Sequence, residues 1–237
     1  MWLDVFDLRD FYASPLGRVS RRMIGCHLRT VWPDVTGMSV LGLGFATPYL
    51  NAFRQESSRM IAAMPASQGV LHWPNDGPSE TMLCGEAELP LPDYSVDRVI
   101  MIHAVEFSEQ IRPMMREVWR VLSGSGRLIV IVPNRSGIWA RLERTPFGYG
   151  RPYSQSQLTR LLQDSMFTPI ASRAALFVPP GKSRMLMSSA PAWENIGSRR
   201  FGAVGGVVSI EANKQIYAAT PGPEGARSRR HVMITNE

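Results

Sequence analysis

The chain reads as a doubly wound α/β protein built on a mostly parallel sheet. Two nearly continuous apolar runs, residues 96–103 and 127–132, flank a helical stretch, residues 109–122, with Ile111, Met114, Met115, Val118, Val121 and Leu122 on one face. Runs of that kind belong to strands covered on both sides, and strands alternating with helices lie parallel in one sheet. The 237 residues are 44% hydrophobic and 19% charged, enough to bury a sizeable core and too apolar for a disordered polymer.

Taken in order, residues 14–31 form an amphipathic helix: Leu16, Val19, Met23, Ile24, Leu28 and Val31 recur at three- and four-residue steps. Ser14-Pro15 supplies its N-cap and first-turn proline, and Trp32-Pro33-Asp34 ends it. Residues 39–43 are a short buried strand, followed by a turn and a helix over 48–55. A second strand spans 59–63, and 68–73 is a third strand or its edge. After the strand–helix–strand unit come a loop over 135–153, a helix over 154–164, a strand over 169–178, a partly helical stretch over 182–196 and a last strand over 207–218. The expected organisation is an N-terminal helical segment (1–36), an α/β domain (37–220) and a mobile tail (221–237), the tail lacking hydrophobic periodicity.

The charge balance of 26 Lys plus Arg against 20 Asp plus Glu gives +6. Arginines gather near both ends, at Arg18, Arg21, Arg22 and Arg29 and at Arg227, Arg229 and Arg230, so a nucleic acid or protein partner at the termini is one reading and a solvated surface the other. Cys26 and Cys84 lie far apart, and the histidines are scattered, which argues against a zinc cage. The start, MWLDVFDLRDFY, carries acids where a secretory signal has a basic and then an apolar run, and no window has the apolar length of a membrane span. A cytoplasmic protein is expected.

The most informative stretch is residues 84–134, with Gly85-Glu86-Ala87, the segment from Leu89 to Asp97, and Arg120-Val121-Leu122 followed by Gly124, Gly126 and Leu128. It resembles the adenosine-binding half of class I S-adenosylmethionine-dependent methyltransferases, in their type 11 group, whose substrates are mostly small molecules. In that family a Gly-Asp-Ala loop meets adenine, a Leu-Pro-x-x-Asp-x-Ser-x-Asp segment leads into a strand, and Arg-Val-Leu-x-x-Gly-Gly-x-Leu precedes the next. The resemblance covers residues 40–178. It implies a seven-stranded doubly wound sheet closed by an antiparallel pair, S-adenosylmethionine as cofactor, and methyl transfer to an unidentified substrate. Two alternatives stay open: a catalytically inactive binding or regulatory protein on the same fold, and an RNA-directed methyltransferase using the terminal arginines.

The resemblance assigns residues to the cofactor. The glycine-rich first motif falls on Gly42-Leu43-Gly44-Phe45-Ala46-Thr47-Pro48, where Gly42 stands at the family's acidic position, Gly44 keeps a glycine, Ala46 and Pro48 replace two others, and Pro48 suits the start of a helix. Met64 stands at the place of the acid that accepts the ribose hydroxyls. Glu86 and Ala87 are expected beside adenine, while Ser95 and Asp97 fix the turn into the strand. His103, at a strand end facing the crevice, is the candidate catalytic base and cofactor neighbour; its other reading is a packed structural histidine. Asn134, Tyr149, Arg151 and Tyr153 are the candidate substrate residues, the last three on a loop with two glycines and two prolines that either covers the substrate or packs on the core.

Overall fold

A computed structural model describes residues 4–181, 183–200 and 204–215. Helices α1 (Val5–Ala13) and α2 (Pro15–Val31) precede β1 (Ser39–Gly44), a single turn α3 (Thr47–Leu50), β2 (Arg59–Pro65), β3 (Thr81–Cys84) and β4 (Val96–Ile102). Then follow α4 (Ile111–Val121), β5 (Leu122–Pro133), α5 (Gln155–Asp164), β6 (Phe167–Ala175), α6 (Arg184–Ser188), α7 (Ala190–Arg200) and β7 (Val207–Lys214). The seven strands form one sheet in the order β3-β2-β1-β4-β5-β7-β6. Strands β1 to β5 are parallel, and β7 is antiparallel to both β5 and β6, which is the doubly wound architecture expected.

Because side chains alternate along a strand, each central strand feeds two cores. Val40, Ile100, Ile102, Ile129 and Ile131 face one side with Leu8, Ile24, Leu28 and Phe53, whereas Leu41, Leu43, Val99, Met101, Leu128 and Val130 face the other with Met114, Val118, Leu158 and Leu162. The N-terminal helices are thus part of the first core. Ser14 ends α1 and caps α2, its Oγ accepting from Gly17 N at 3.0 Å, with Pro15 in the first turn. At the far end Trp32 donates its indole N–H to Glu211 Oε1 at 3.0 Å. Ser154 and Gln157 form a reciprocal capping box on α5.

The motif from Leu89 to Asp97 is held as a clamp. Arg120 donates to the carbonyls of Leu89 and Leu91, each at 2.8 Å, and pairs with Asp93 at 2.6 Å and Glu117 at 2.7 Å. Glu117 also accepts from Leu89 N at 2.9 Å, and its pKa is held down by the hydrogen bond from Arg120. Asp97 takes Ser39 N at 2.9 Å and Ser123 Oγ at 3.1 Å, tying together the starts of three neighbouring strands, while Ser95 donates to Pro92 O at 2.7 Å.

Some expected elements differ. Residues 68–73 are not a strand: Gly69 is left-handed at φ 91°, and the edge strand forms later, at Thr81–Cys84. The helix expected over 48–55 is one turn, with turns to residue 56. Helix α1 was not expected, although Val5, Leu8 and Tyr12 are buried at a helical spacing and Asp4 caps it by accepting from Phe6 N and Asp7 N. The tail and its arginines, Arg227, Arg229 and Arg230, lie outside the described residues. Near the start, Arg29 is engaged by both oxygens of Glu56, at 2.7 and 3.0 Å, and Arg18 donates to Ala13 O at 2.7 Å. No helix among the described residues is long and apolar enough to cross a membrane.

His27, on α2, has a buried Nε2 without a hydrogen-bond partner, and burial followed by the charge of Arg173 pushes its pKa down to about 4. The unfolded chain therefore binds a proton near pH 6.5 that the folded chain refuses until about pH 4. The stability of the wild type relative to His27→Gln is fully present above pH 6.5 and is lost as pH falls through that window. At about 1.4 kcal/mol per unit, the loss is on the order of 3 kcal/mol. Urea denaturation of both proteins at pH 7, 5.5 and 4.5 measures it; parallel stability curves would refute it.

Candidate functional site

In a doubly wound sheet, ligands bind outside the carboxyl ends of the strands where the winding reverses. That point lies between β1 and β4, which are adjacent in the sheet and lead outward in opposite directions. Its walls are Gly44 to Thr47 after β1, Pro65 to Gln68 after β2, and His103 to Phe107 after β4.

The first motif is shaped by close approach. Gly44 has φ 83°, and a Cβ there would meet Ile102 O at 2.4 Å and Ala104 Cβ at 2.9 Å. Phe45 N–H also donates to Ile102 O at 2.9 Å, so a backbone bond joins the two walls. At Gly42, a Cβ would lie 2.7 Å from Ala46 Cβ and 2.8 Å from Leu50 Cδ1. No carboxylate fits there, because the short α3 folds back onto the strand. Ala46 is fully buried at the start of that turn.

Between the walls stands Tyr12 of α1. Its ring stacks on Phe45, with centroids 5.7 Å apart and planes 17° apart, and meets Tyr49 edge-on at 5.8 Å. Tyr49 donates its hydroxyl to Tyr12 Oη at 2.8 Å, which leaves the Tyr12 proton for His103 Nε2, also at 2.8 Å. His103 then carries its own proton on Nδ1 and gives it to Glu106 Oε1 at 3.1 Å. Burial above all, with the neighbouring Tyr49 next, pushes the Tyr12 pKa well above its ordinary value, so the phenol keeps its proton. Gln68 Nε2 donates to the carbonyl of His103, and Val5 N–H to Gln68 O at 2.8 Å, fastening the front of α1 over the crevice.

His103 has no solvent exposure and a left-handed backbone, φ 53°, a conformation that a non-glycine residue holds only where its surroundings enforce it. Phe147 packs on its ring at 5.1 Å. Sequence reasoning singled out His103 and left out Tyr12 and Gln68. For Tyr12 a signal existed, the spacing of Val5, Leu8 and Tyr12; for Gln68 there was none.

The remaining candidates are dispersed. The Glu86 carboxylate faces the start of α4, accepting from Ser108 Oγ at 2.7 Å, Glu109 N at 3.1 Å and Gln110 N at 3.2 Å, while its other oxygen takes Ser67 Oγ at 3.2 Å. Ala87 is half-buried in the same loop. Met64 is 1% exposed, and its sulfur accepts from Leu71 N at 3.4 Å. Asn134 serves the turn after β5: it donates to Gly205 O at 2.8 Å and accepts from Ser136 N at 3.1 Å. Arg151 N and Gly150 pack against the Glu106 carbonyl, the side chain of Arg151 is exposed, and Tyr153 N–H donates to Pro133 O at 3.0 Å.

Tyr149 lines a cavity of about 570 Å³ with Phe11, Leu16, Thr145, Pro146 and Met187. The Thr145 hydroxyl oxygen on this wall is buried without a hydrogen-bond partner. Phe11 faces this cavity while its neighbour Tyr12 fills the crevice, so α1 is the partition between the two.

S-adenosylmethionine, which the resemblance implies, does not fit the crevice in this arrangement. Tyr12, Phe45, Tyr49 and His103 fill it with buried, mutually bonded side chains, and no carboxylate stands at the end of β2.

Residues 40–130 match the family model described as a methyltransferase domain. A probable S-adenosylmethionine-dependent methyltransferase of Mycobacterium tuberculosis is 39% identical over 94 residues, 39% of this chain and 34% of that protein. The chain thus spans about a third of the length of that curated relative. Among solved structures, an S-adenosylmethionine-dependent methyltransferase of Thermotoga maritima superposes with a TM-score of 0.61 at 17% identity, covering 89% of this chain and 96% of its own. The 1,6-didemethyltoxoflavin-N1-methyltransferase of Burkholderia thailandensis, solved with S-adenosylhomocysteine, has a TM-score of 0.53 at 14% identity, with 89% of this chain and 83% of its own covered. The fold is that of class I methyltransferases.

Proposed function

We propose, from the match of residues 40–130 to the methyltransferase-domain family model, that the protein is an S-adenosylmethionine-dependent methyltransferase acting on a small acceptor with an apolar or aromatic body. The observation that carries this reading is where the match falls: it runs from β1 into β5, the strands whose carboxyl ends make the crevice at the reversal of winding. The acceptor class follows from the cavity beside Tyr149, whose volume suits a small molecule and whose walls are mostly apolar, with Phe11, Leu16, Pro146 and Met187 among them and Asp7, Glu143 and Arg144 as its charged residues. Withdrawal of α1 would remove Phe11 from one space and Tyr12 from the other and join them. His103, held by Glu106 in the tautomer with a free Nε2 lone pair, would then be left to accept a proton at the place now taken by the Tyr12 hydroxyl.

A second reading, a binding or regulatory protein that has kept the fold, is favoured by the filled crevice and the apolar Met64. Calorimetric titration of the full chain with S-adenosylhomocysteine separates them. The methyltransferase reading expects saturable binding of the wild type or of a variant with the crevice opened, and absence of binding to both would leave the second reading alone standing.

A further inference from the structure

We propose that helix α1 is an internal occupant of the cofactor crevice, with Tyr12 standing in the volume the S-adenosyl ligand needs, so that docking of α1 and binding of the ligand exclude one another. The inference rests on the methyltransferase reading and adds to it a closed state and a moving part. Three features point to α1 as the element that leaves. It is joined to α2 through Ser14 alone, which serves both as the end of one helix and as the cap of the other. It meets the body through one face: Val5, Leu8 and Tyr12 are buried and Phe11 is half-buried against Phe147, whereas Phe6, Asp7, Arg9 and Asp10 are exposed. Its polar fastenings to the crevice are the Val5–Gln68 backbone bond and the hydroxyl contacts of Tyr12 with Tyr49 and His103. The other occupants cannot be cleared in the same way, since Phe45 and Tyr49 are built into the loop and turn that follow β1, and His103 into the end of β4.

The closed state also explains why so polar a group of side chains tolerates burial. Tyr49, Tyr12, His103 and one oxygen of Glu106 satisfy one another in series, while Glu106 Oε2 is buried without a partner. A chain with one vacant acceptor at its end is a poor permanent core and a suitable temporary one.

The test compares S-adenosylhomocysteine binding by wild type, Tyr12→Phe and Tyr12→Ala in the full chain. The expected result is at least tenfold tighter binding by Tyr12→Ala than by wild type, with Tyr12→Phe between them, because it loses the hydroxyl bonds and keeps the ring. Equal affinity of wild type and Tyr12→Ala would overturn the occupant role and leave the methyltransferase reading intact. No binding by any of the three would overturn both. Should Tyr12→Ala fail to fold, hydrogen exchange of the wild type decides: amides of residues 5–13 should exchange faster when S-adenosylhomocysteine is added at saturation, and slower or unchanged exchange would refute displacement.

Discussion

Trp139→Ala will lower the stability of the protein by roughly 3–5 kcal/mol, the range for removing a large aromatic from a packed interior. Trp139 is 2% exposed and donates its indole N–H to Val178 O at 2.8 Å. Its ring meets Phe147 edge-on at 5.5 Å, and the backbone at Gly206 approaches so closely that a Cβ there would lie 2.4 Å from Trp139 Cδ1. Truncation leaves a cavity bordered by elements that cannot collapse into it, and strands the Val178 carbonyl. Trp139→Phe, which restores a ring without the donor, should recover all but about 1–3 kcal/mol. Urea denaturation with an unchanged slope would confirm the loss as stability, and a shift below about 1 kcal/mol would show that the site relaxes. Because Phe147 also packs against His103, the same variant loosens one wall of the crevice.

Met64→Asp carries the second large effect, and its sign separates two accounts of that position. If Met64 merely lacked the acid of the ribose site, aspartate would restore binding at little cost. The structure instead puts Met64 within the apolar core that includes Ile100 and Ile102, accepting a weak bond from Leu71 N. A carboxylate there would be buried among apolar side chains, so the expected loss is about 3–5 kcal/mol at pH 7. The introduced acid would have a raised pKa when folded, so the variant is least handicapped below pH 4 and loses ground as pH rises above it. Denaturation at pH 4.5 and 7 measures the difference. Unchanged stability with tighter binding of S-adenosylhomocysteine would instead make position 64 a ribose contact.

What the sequence made legible follows from where the information is local. The unit from β4 through α4 to β5 was read closely, because both-face burial gives β4 and β5 nearly unbroken apolar runs and the motif residues Asp97 and Arg120 lie in it, Arg120 reaching back to the segment that leads into β4. The edge strand β3 was misplaced, since an edge needs little apolar content and Thr81, Met82 and Leu83 offer no pattern against the preceding loop. The turn α3 was read as a longer helix because Pro48 announces a start while nothing local announces how soon it ends. In the site, His103 was legible from its strand end, and the glycine at position 42 was seen as a departure. The cause of that departure, Ala46 and Leu50 folding back on it, is tertiary. The filling of the crevice is tertiary as well: Tyr12 and His103 are 91 residues apart. Charge drew attention in the first dozen residues, and the helical spacing beneath it went unread.

The position of β7 bears on how the molecule is made. Strand β7, ending at Lys214, lies between β5 and β6, and Lys214 itself donates to Leu122 O at 2.7 Å between the rings of Tyr94 and Trp119. As the chain emerges from the ribosome, β6 is complete some thirty residues before its neighbour β7 exists, so for that interval it lacks the β7 pairing and β5 lacks its outer partner. The sheet is completed by placing β7 between the two strands it joins, and two of its seven strands, β6 and β7, depend on that step.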